Sequence, residues 1–137
     1  MIAEVLLLNE LDAELARYCA ANLCRPGSEM QGEFRRHRTV TPVSIAYDGD
    51  NAQPVGWVAT HFWRGLQTIE GFTHPDYRRR GIARIGVQLL LACYHLDKAK
   101  AVSVFAPECV ELAYSCGWTD VRFWQRFGSS EWREVRA

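Results

Sequence analysis

"HPDYRRRGIARIG", residues 74–86, sets a turn, three consecutive arginines and a glycine ahead of an apolar run. A solvated surface stretch would account for Arg78, Arg79 and Arg80. It would not account for their place between a strand and a helix. A helix N-terminus carries unpaired N–H groups and roughly half a positive charge, so an anion lodged there explains both features. Gly81 and Ala83 are the small residues that let a backbone approach a phosphate closely. The arginines add charge-assisted donors at the rim.

The flanking sequence reads as an alternation of strands and helices. Residues 3–8, "AEVLLL", form a short buried strand; Asn9 caps the next helix, with Leu8, Leu11, Leu15, Tyr18, Cys19 and Leu23 at helical spacing. Pro26-Gly27 breaks it, and Ser28 caps a second helix over 28–38. Strands follow at 42–47 and 54–63, separated by a turn-rich loop at 48–53. A hairpin turn at 64–67 leads into a strand at 68–73, stopped by Pro75.

From Gly81 to about Leu96 runs the most apolar helix, with Ile82, Ile85, Leu89 and Cys93 on one face, widened by Val87, Leu90 and Leu91, as for a helix packed against a sheet. A strand at 101–105, a helix opened by Pro107 and closed near Gly117, and a hairpin around 128–130 complete the chain. The expected fold class is α/β (α+β). One mixed, mostly antiparallel central sheet of about seven strands is flanked by about four helices, in a single domain over 1–137.

Composition narrows the function. The 137 residues include 48 % hydrophobic and 23 % charged side chains, the balance of a globular protein. Sixteen basic and sixteen acidic residues cancel, which argues against a general nucleic-acid binder. A local contact through the arginines stays open, and would weaken steeply with salt. No apolar run reaches the ~20 residues of a membrane span, and the acidic N-terminal flank does not read as a signal peptide. Cys19, Cys24, Cys93, Cys109 and Cys116 are odd in number and lack a C-x-x-C pair, so small buried thiols in a reducing cytoplasm are expected, with no metal site.

Neither G-x-x-x-x-G-K-S/T nor G-x-G-x-x-G occurs. Arg78-x-x-Gly81-x-Ala83, after "PDY" and before an apolar helix, resembles the coenzyme A pyrophosphate loop of the GNAT superfamily of N-acetyltransferases, Q/R-x-x-G-x-G/A. The element order is similar to that superfamily's along essentially the whole chain. The resemblance implies acetyl-CoA as co-substrate, an unknown amine acceptor, direct transfer in a ternary complex and a cytoplasmic setting, and it is compatible with a homodimer. It places the pyrophosphate on the amides of Arg79, Arg80, Gly81, Ile82, Ala83 and Arg84, beside Arg78. It lays the pantetheine arm along Phe72 and Thr73, where GNAT sheets splay. Gly71 is then either a bulge at the splay or a tight packing contact.

An amine with a pKa of about 10.4 must lose a proton before it attacks. The resemblance makes Glu70 the best-placed base, since bases of that superfamily are often acids on this strand, unless strand alternation turns it outward. His61 on the neighbouring strand is the second candidate, or else a packed residue. The chain departs from the family at the general acid. The tyrosine slot four residues before Gly117 is Ala113, with Tyr114 one position later, and the asparagine slot is Ala106. One position is about 100° of helix rotation, so Tyr114 serves only if the helix is shifted, with Ser115 or Cys116 as substitutes. These substitutions motivate an alternative, a catalytically degenerate binding or assembly protein that retains coenzyme A. Cys109 and Cys116 lack a sequence partner as nucleophiles. Arg35, Arg36, His37 and Arg38 suggest either an anionic acceptor or a solvated helix face balanced by Glu33. Trp63, Trp124 and Trp132 are candidate pocket walls or core.

Overall fold

The structure, a computed structural model, describes residues 1–49, 53–94 and 96–135. Residues 50–52 of the loop at 48–53, and His95 near the expected helix end, lie outside the described residues. Strand β1 (Ile2–Leu7) is followed by helices α1 (Ala13–Asn22) and α2 (Glu29–Arg36). Strands β2 (Pro42–Tyr47), β3 (Pro54–Ala59), β4 (Phe62–Trp63), β5 (Leu66–Thr68) and β6 (Glu70–Thr73) come next. Helix α3 (Ile82–Cys93), β7 (Val102–Val104), α4 (Pro107–Ser115), β8 (Val121–Phe127) and β9 (Glu131–Val135) complete the mixed α+β fold.

The expected single sheet of about seven strands is two sheets. The first runs β1-β2-β3-β6 and is antiparallel throughout. The second runs β4-β5-β7-β8-β9, with parallel pairings on both sides of β7. Each of the strands expected at 54–63 and 68–73 is cut in two and changes sheet, the first at Thr60-His61 and the second at Ile69. Thr60 N–H donates to Pro42 O (3.2 Å) in the first sheet, whereas Thr68 N–H donates to His61 O (2.9 Å) in the second. Ile69 N–H still donates to Ser103 O (3.1 Å) on β7. Beyond it β6 pairs only with β3, and its other edge faces a wedge between the two sheets. Gly71 is no bulge. It sits in register opposite Val58, where a Cβ would meet Trp57 O at 3.1 Å. The register shift in this sheet lies in the β2–β3 ladder, at Ala46/Tyr47.

Strand alternation divides the core. Ile45 and Trp57 face α1 and α2 with Leu8, Cys19, Leu23 and Phe34; Trp57 Nε1 donates to Leu23 O (2.6 Å) and its ring meets Phe34 edge-on at 5.1 Å. Val58, Ile69, Val102 and Val104 face α3 and α4 with Val87, Leu90 and Trp118. Burying each such aliphatic side chain stabilises the fold by about 1.5–3 kcal/mol before entropy is counted.

Two local readings are corrected. Helix α1 is capped by Asp12, which accepts from Glu14 N–H (2.8 Å), and not by Asn9. Residues 8–10 form a tight turn whose Leu8 and Asn9 N–H groups donate to Thr41 O and Thr39 O. Helix α3 buries Ile82, Gly86, Val87 and Leu90, and leaves Ile85 44 % exposed. Its contact with the sheet is Gly86, where a Cβ would come within 2.9 Å of Val58 Cγ2. Ile82, Val87 and Leu90 of the expected face are buried and Ile85 is not; Gly86, a residue without a side chain, is invisible to hydrophobic periodicity and was missed. Ser28 caps α2 as read, accepting from Gln31 N–H (3.2 Å).

Candidate functional site

The strand–turn–helix connection is built by local chemistry. His74 Nδ1 accepts from Asp76 N–H (3.1 Å), Pro75–Tyr77 wind one tight turn, and Tyr77 Oη donates to Asp48 Oδ2 (2.6 Å). Arg79 then adopts φ +65° and Gly81 φ +76°, both left-handed. Such reversals of handedness make N–H groups converge into an anion-binding concavity. Helix α3 closes its first bond from Ile85 N–H to Gly81 O (3.0 Å), so the N–H groups of Ile82, Ala83 and Arg84 have no partner within the helix. Among the described residues, the N–H groups of Arg79, Arg80 and Gly81 donate to nothing either. A Cβ on Gly81 would meet no atom within 4 Å, so the space before these amides is open. Arg78, Arg79, Arg80 and Arg84 have no carboxylate partner among the described residues.

The hollow over these amides, about 280 Å³, is bordered by Thr73, Arg78, Gly81, Ala83 and Ser115. It runs into a groove of about 490 Å³ between β6 and α4, with Phe72, Leu112 and Ala83 as apolar walls. Arg78 joins the two: its Nε donates to Thr73 O (3.0 Å) and its guanidinium lies 5.4 Å from the Phe72 ring centroid. His74 N–H donates to Val55 O (2.8 Å), which identifies the inward-bonded pairs of the β3–β6 ladder. By alternation the N–H groups of Gly71 and Thr73 point into the groove. Gly71 N–H faces the Cys109 thiol. Burial pushes that thiol up to about 11, against the opposing pull of Arg25 and of this N–H. An extended chain bearing a diphosphate fits this ensemble: amides and free guanidinia at one end, an apolar trough with an unpaired strand edge at the other.

One residue along β6, Glu70 borders a second cavity of about 470 Å³, with Arg25, Glu29, Phe105, Arg126 and Trp132. Burial raises the Glu70 carboxyl to about 7; nearby Glu29 and Glu33 push the same way and Arg25 opposes. His61 Nε2 lies 3.9 Å from Glu70 Oε1. Burial holds the His61 imidazole below its ordinary value, against Glu29 and Glu33. Thr68 Oγ1 donates to His61 O (3.2 Å) and so is left to accept from His61 Nδ1–H (3.1 Å), which presents Nε2 unprotonated toward Glu70. The structure thus brings Glu70 and His61 together and turns neither to open solvent.

Tyr114 is placed elsewhere. It is 53 % exposed and borders a separate hollow with Val110, Asp120 and Arg122 on the far face of α4. The helix is not shifted: Ala113 is fully buried and Ala106 is 4 % exposed, so both slots are packed into the core. The hydroxyl that α4 offers the groove is Ser115, which donates to Leu112 O (2.7 Å).

Of the three tryptophans, Trp132 borders the Glu70 cavity, while Trp63 stacks edge-on against Phe105, Trp124 and Trp132 at 5.1, 5.1 and 5.8 Å. Arg35, Arg36, His37 and Arg38 do not border it. Arg36 pairs with Glu33 at 2.6 Å on the exposed side of the helix, while Glu33 Oε2 and His37 Nε2 are buried without a hydrogen-bond partner among the described residues. Arg25, which touches both the groove and the cavity, was missed by sequence reasoning. Its one signal was a charged loop residue before Pro26-Gly27.

No protein-family model matches this chain, and no curated protein matches it. Solved structures similar to it include two N-acetyltransferases. One is a ribosomal-protein-alanine N-acetyltransferase from Brucella melitensis biovar Abortus 2308, at 15 % identity and TM-score 0.46, covering 90 % of this chain and 79 % of that one. The other is the ribosomal-protein-S18-alanine N-acetyltransferase from Escherichia coli, also at 15 % identity and TM-score 0.46, covering 90 % of this chain and 66 % of that one.

Proposed function

We propose that this chain is an N-acyltransferase that takes an acetyl group from acetyl-CoA and passes it directly to an amine. The observation that carries this reading is continuity. Unpartnered amides at 79–84 open into the groove along β6, and the groove ends beside Glu70, which borders a separate cavity. The co-substrate supplies the activated thioester. In this reading the amides and Arg78 hold the diphosphate, Phe72 and Thr73 line the extended arm, and Gly71 N–H donates to the thioester oxygen as negative charge grows on it. Glu70, assisted by His61, takes the proton that the ammonium loses before it attacks; as the C–N bond forms and the C–S bond breaks, the second nitrogen proton is lost and the coenzyme leaves as its thiolate, which is protonated to the free thiol. The five cysteines are all free, which supports a reducing, cytoplasmic setting.

A second reading is favoured by one observation: Ala106 and Ala113 are packed into the core and Tyr114 faces away, so α4 brings no tyrosine acid to the groove. It is a coenzyme-binding protein without turnover. Calorimetric titration with acetyl-CoA, followed by thiol release with a panel of primary amines, tests both. Binding with release supports transfer, binding without release supports the second reading, and absence of binding removes both.

A further inference from the structure

The cavity beyond Glu70 has a charge pattern that an amine alone does not satisfy. Its carboxylates are Glu29 and Glu70, and Glu29 is close enough to raise the Glu70 carboxyl. Its cations are Arg25 and Arg126. Arg25 is engaged by Glu108 at 3.2 Å, whereas Arg126 and Glu29 have no ion-pair partner among the described residues. The Arg126 guanidinium lies 5.6 Å from the Trp132 ring centroid, and Trp132 meets Phe105 edge-on at 5.2 Å. One unpaired charge of each sign and an aromatic wall therefore face a single space. At about 470 Å³ it has the size of a small-molecule site.

We infer that the acceptor is a small zwitterion with an apolar or aromatic body, its ammonium held between Glu29 and Glu70 and its carboxylate by Arg126. The inference rests on the transfer reading for the ammonium's place beside Glu70, and on the unpaired Arg126 for everything that distinguishes it from a simple amine. A charge-assisted guanidinium–carboxylate pair, two parallel N–H···O bonds with fixed geometry, discriminates against ligands lacking the carboxylate, which leave Arg126 only its contact with the Trp132 ring.

Equilibrium binding decides it without requiring turnover. Phenylalanine, phenylalaninamide, N-acetylphenylalanine and an alanine-initiated tetrapeptide are titrated against the protein saturated with coenzyme A, by ligand-observed NMR. Phenylalanine is expected to bind roughly tenfold or more tighter than the amide or the N-acetyl compound, a difference of about 1.4 kcal/mol. Arg126→Leu should erase the preference over the amide, Arg126→Lys should retain part of it, and Glu29→Gln should erase the preference over the N-acetyl compound. Arg126 and Glu29 are exposed, so these variants should fold. Equal or tighter binding of the amide or tetrapeptide, an Arg126→Leu variant with its preference intact, or no binding of any compound would overturn the inference. Thiol release read on the same samples judges the transfer reading separately. Arg126-dependent binding without release upholds the zwitterion site and rejects transfer. Release with amines but no carboxylate preference does the reverse.

Discussion

His61 Nε2 and Glu70 Oε1 stand 3.9 Å apart between two sheets, on strand segments that a uniform central sheet would have kept regular. The gap is too long for a direct hydrogen bond and suits a bridging water. Burial acts on both in the direction that removes charge: the carboxyl goes up and the imidazole goes down. A carboxylate titrating near 7 is matched to accepting an amine proton at neutral pH.

Transfer is therefore expected to rise with pH through about 7, as Glu70 ionises. Glu70→Gln should lower kcat by roughly 10²–10⁴-fold while leaving acetyl-CoA affinity nearly unchanged. The sign for stability is opposite. A carboxyl raised from 4.5 to about 7 binds more protons folded than unfolded, so stability falls as pH rises through that window. Glu70→Gln should flatten that fall, measured as melting temperature against pH; a variant with the wild-type slope and wild-type kcat removes Glu70 from the mechanism.

Gly81→Asp tests the amide cradle. The position has φ +76° and an open front, so the variant should keep the fold at a cost of about 1–2 kcal/mol for the left-handed backbone. It puts a carboxylate where an anion is expected. Acetyl-CoA affinity should drop roughly 100-fold or more in calorimetry, the scale of one or two lost charge-assisted bonds. Unchanged affinity would be fatal to the cradle.

Tyr114→Phe should leave turnover within about twofold of wild type, since the hydroxyl faces a different hollow. Restoring the tyrosine one position earlier should not help. Ala113→Tyr forces a ring into a fully buried site, and overpacking of this kind costs about 1–3 kcal/mol or more. A stable, more active Ala113→Tyr variant would contradict the packing of α4.

Gly86→Val and Ile85→Ala form a pair that tests which of these two neighbours on α3 meets the sheet. A Cβ at Gly86 already overlaps Val58, so Gly86→Val should destabilise by about 1–3 kcal/mol in chemical unfolding. Ile85, exposed at 44 %, should tolerate truncation to alanine within roughly ±0.5 kcal/mol. The reverse order of effects would rotate the helix back.

The contrast between these positions follows how each is encoded. Chain segments 74–86 and 28–37 are governed by neighbours in sequence: Ser28 caps its own helix, and Gly81 takes the left-handed turn that starts α3. Glu70 and His61 were legible as candidates, but their pairing was not, because the eight intervening residues fold back through a turn at Arg64-Gly65.

By itself the sequence determined the order of elements, the turn glycines, the anion-ready helix start and the presence of a carboxylate on the strand before it, since all of these follow from dihedral preference and hydrogen bonding over a few residues. Only the tertiary structure decided that two strands change sheet at Thr60-His61 and at Ile69, that Gly86 and not Ile85 meets the sheet, that Tyr114 turns outward, and that Arg25, Glu29 and Arg126 surround one cavity. Those outcomes depend on how twisted sheets and helices fill a common volume, and close packing is settled by partners far apart in the chain.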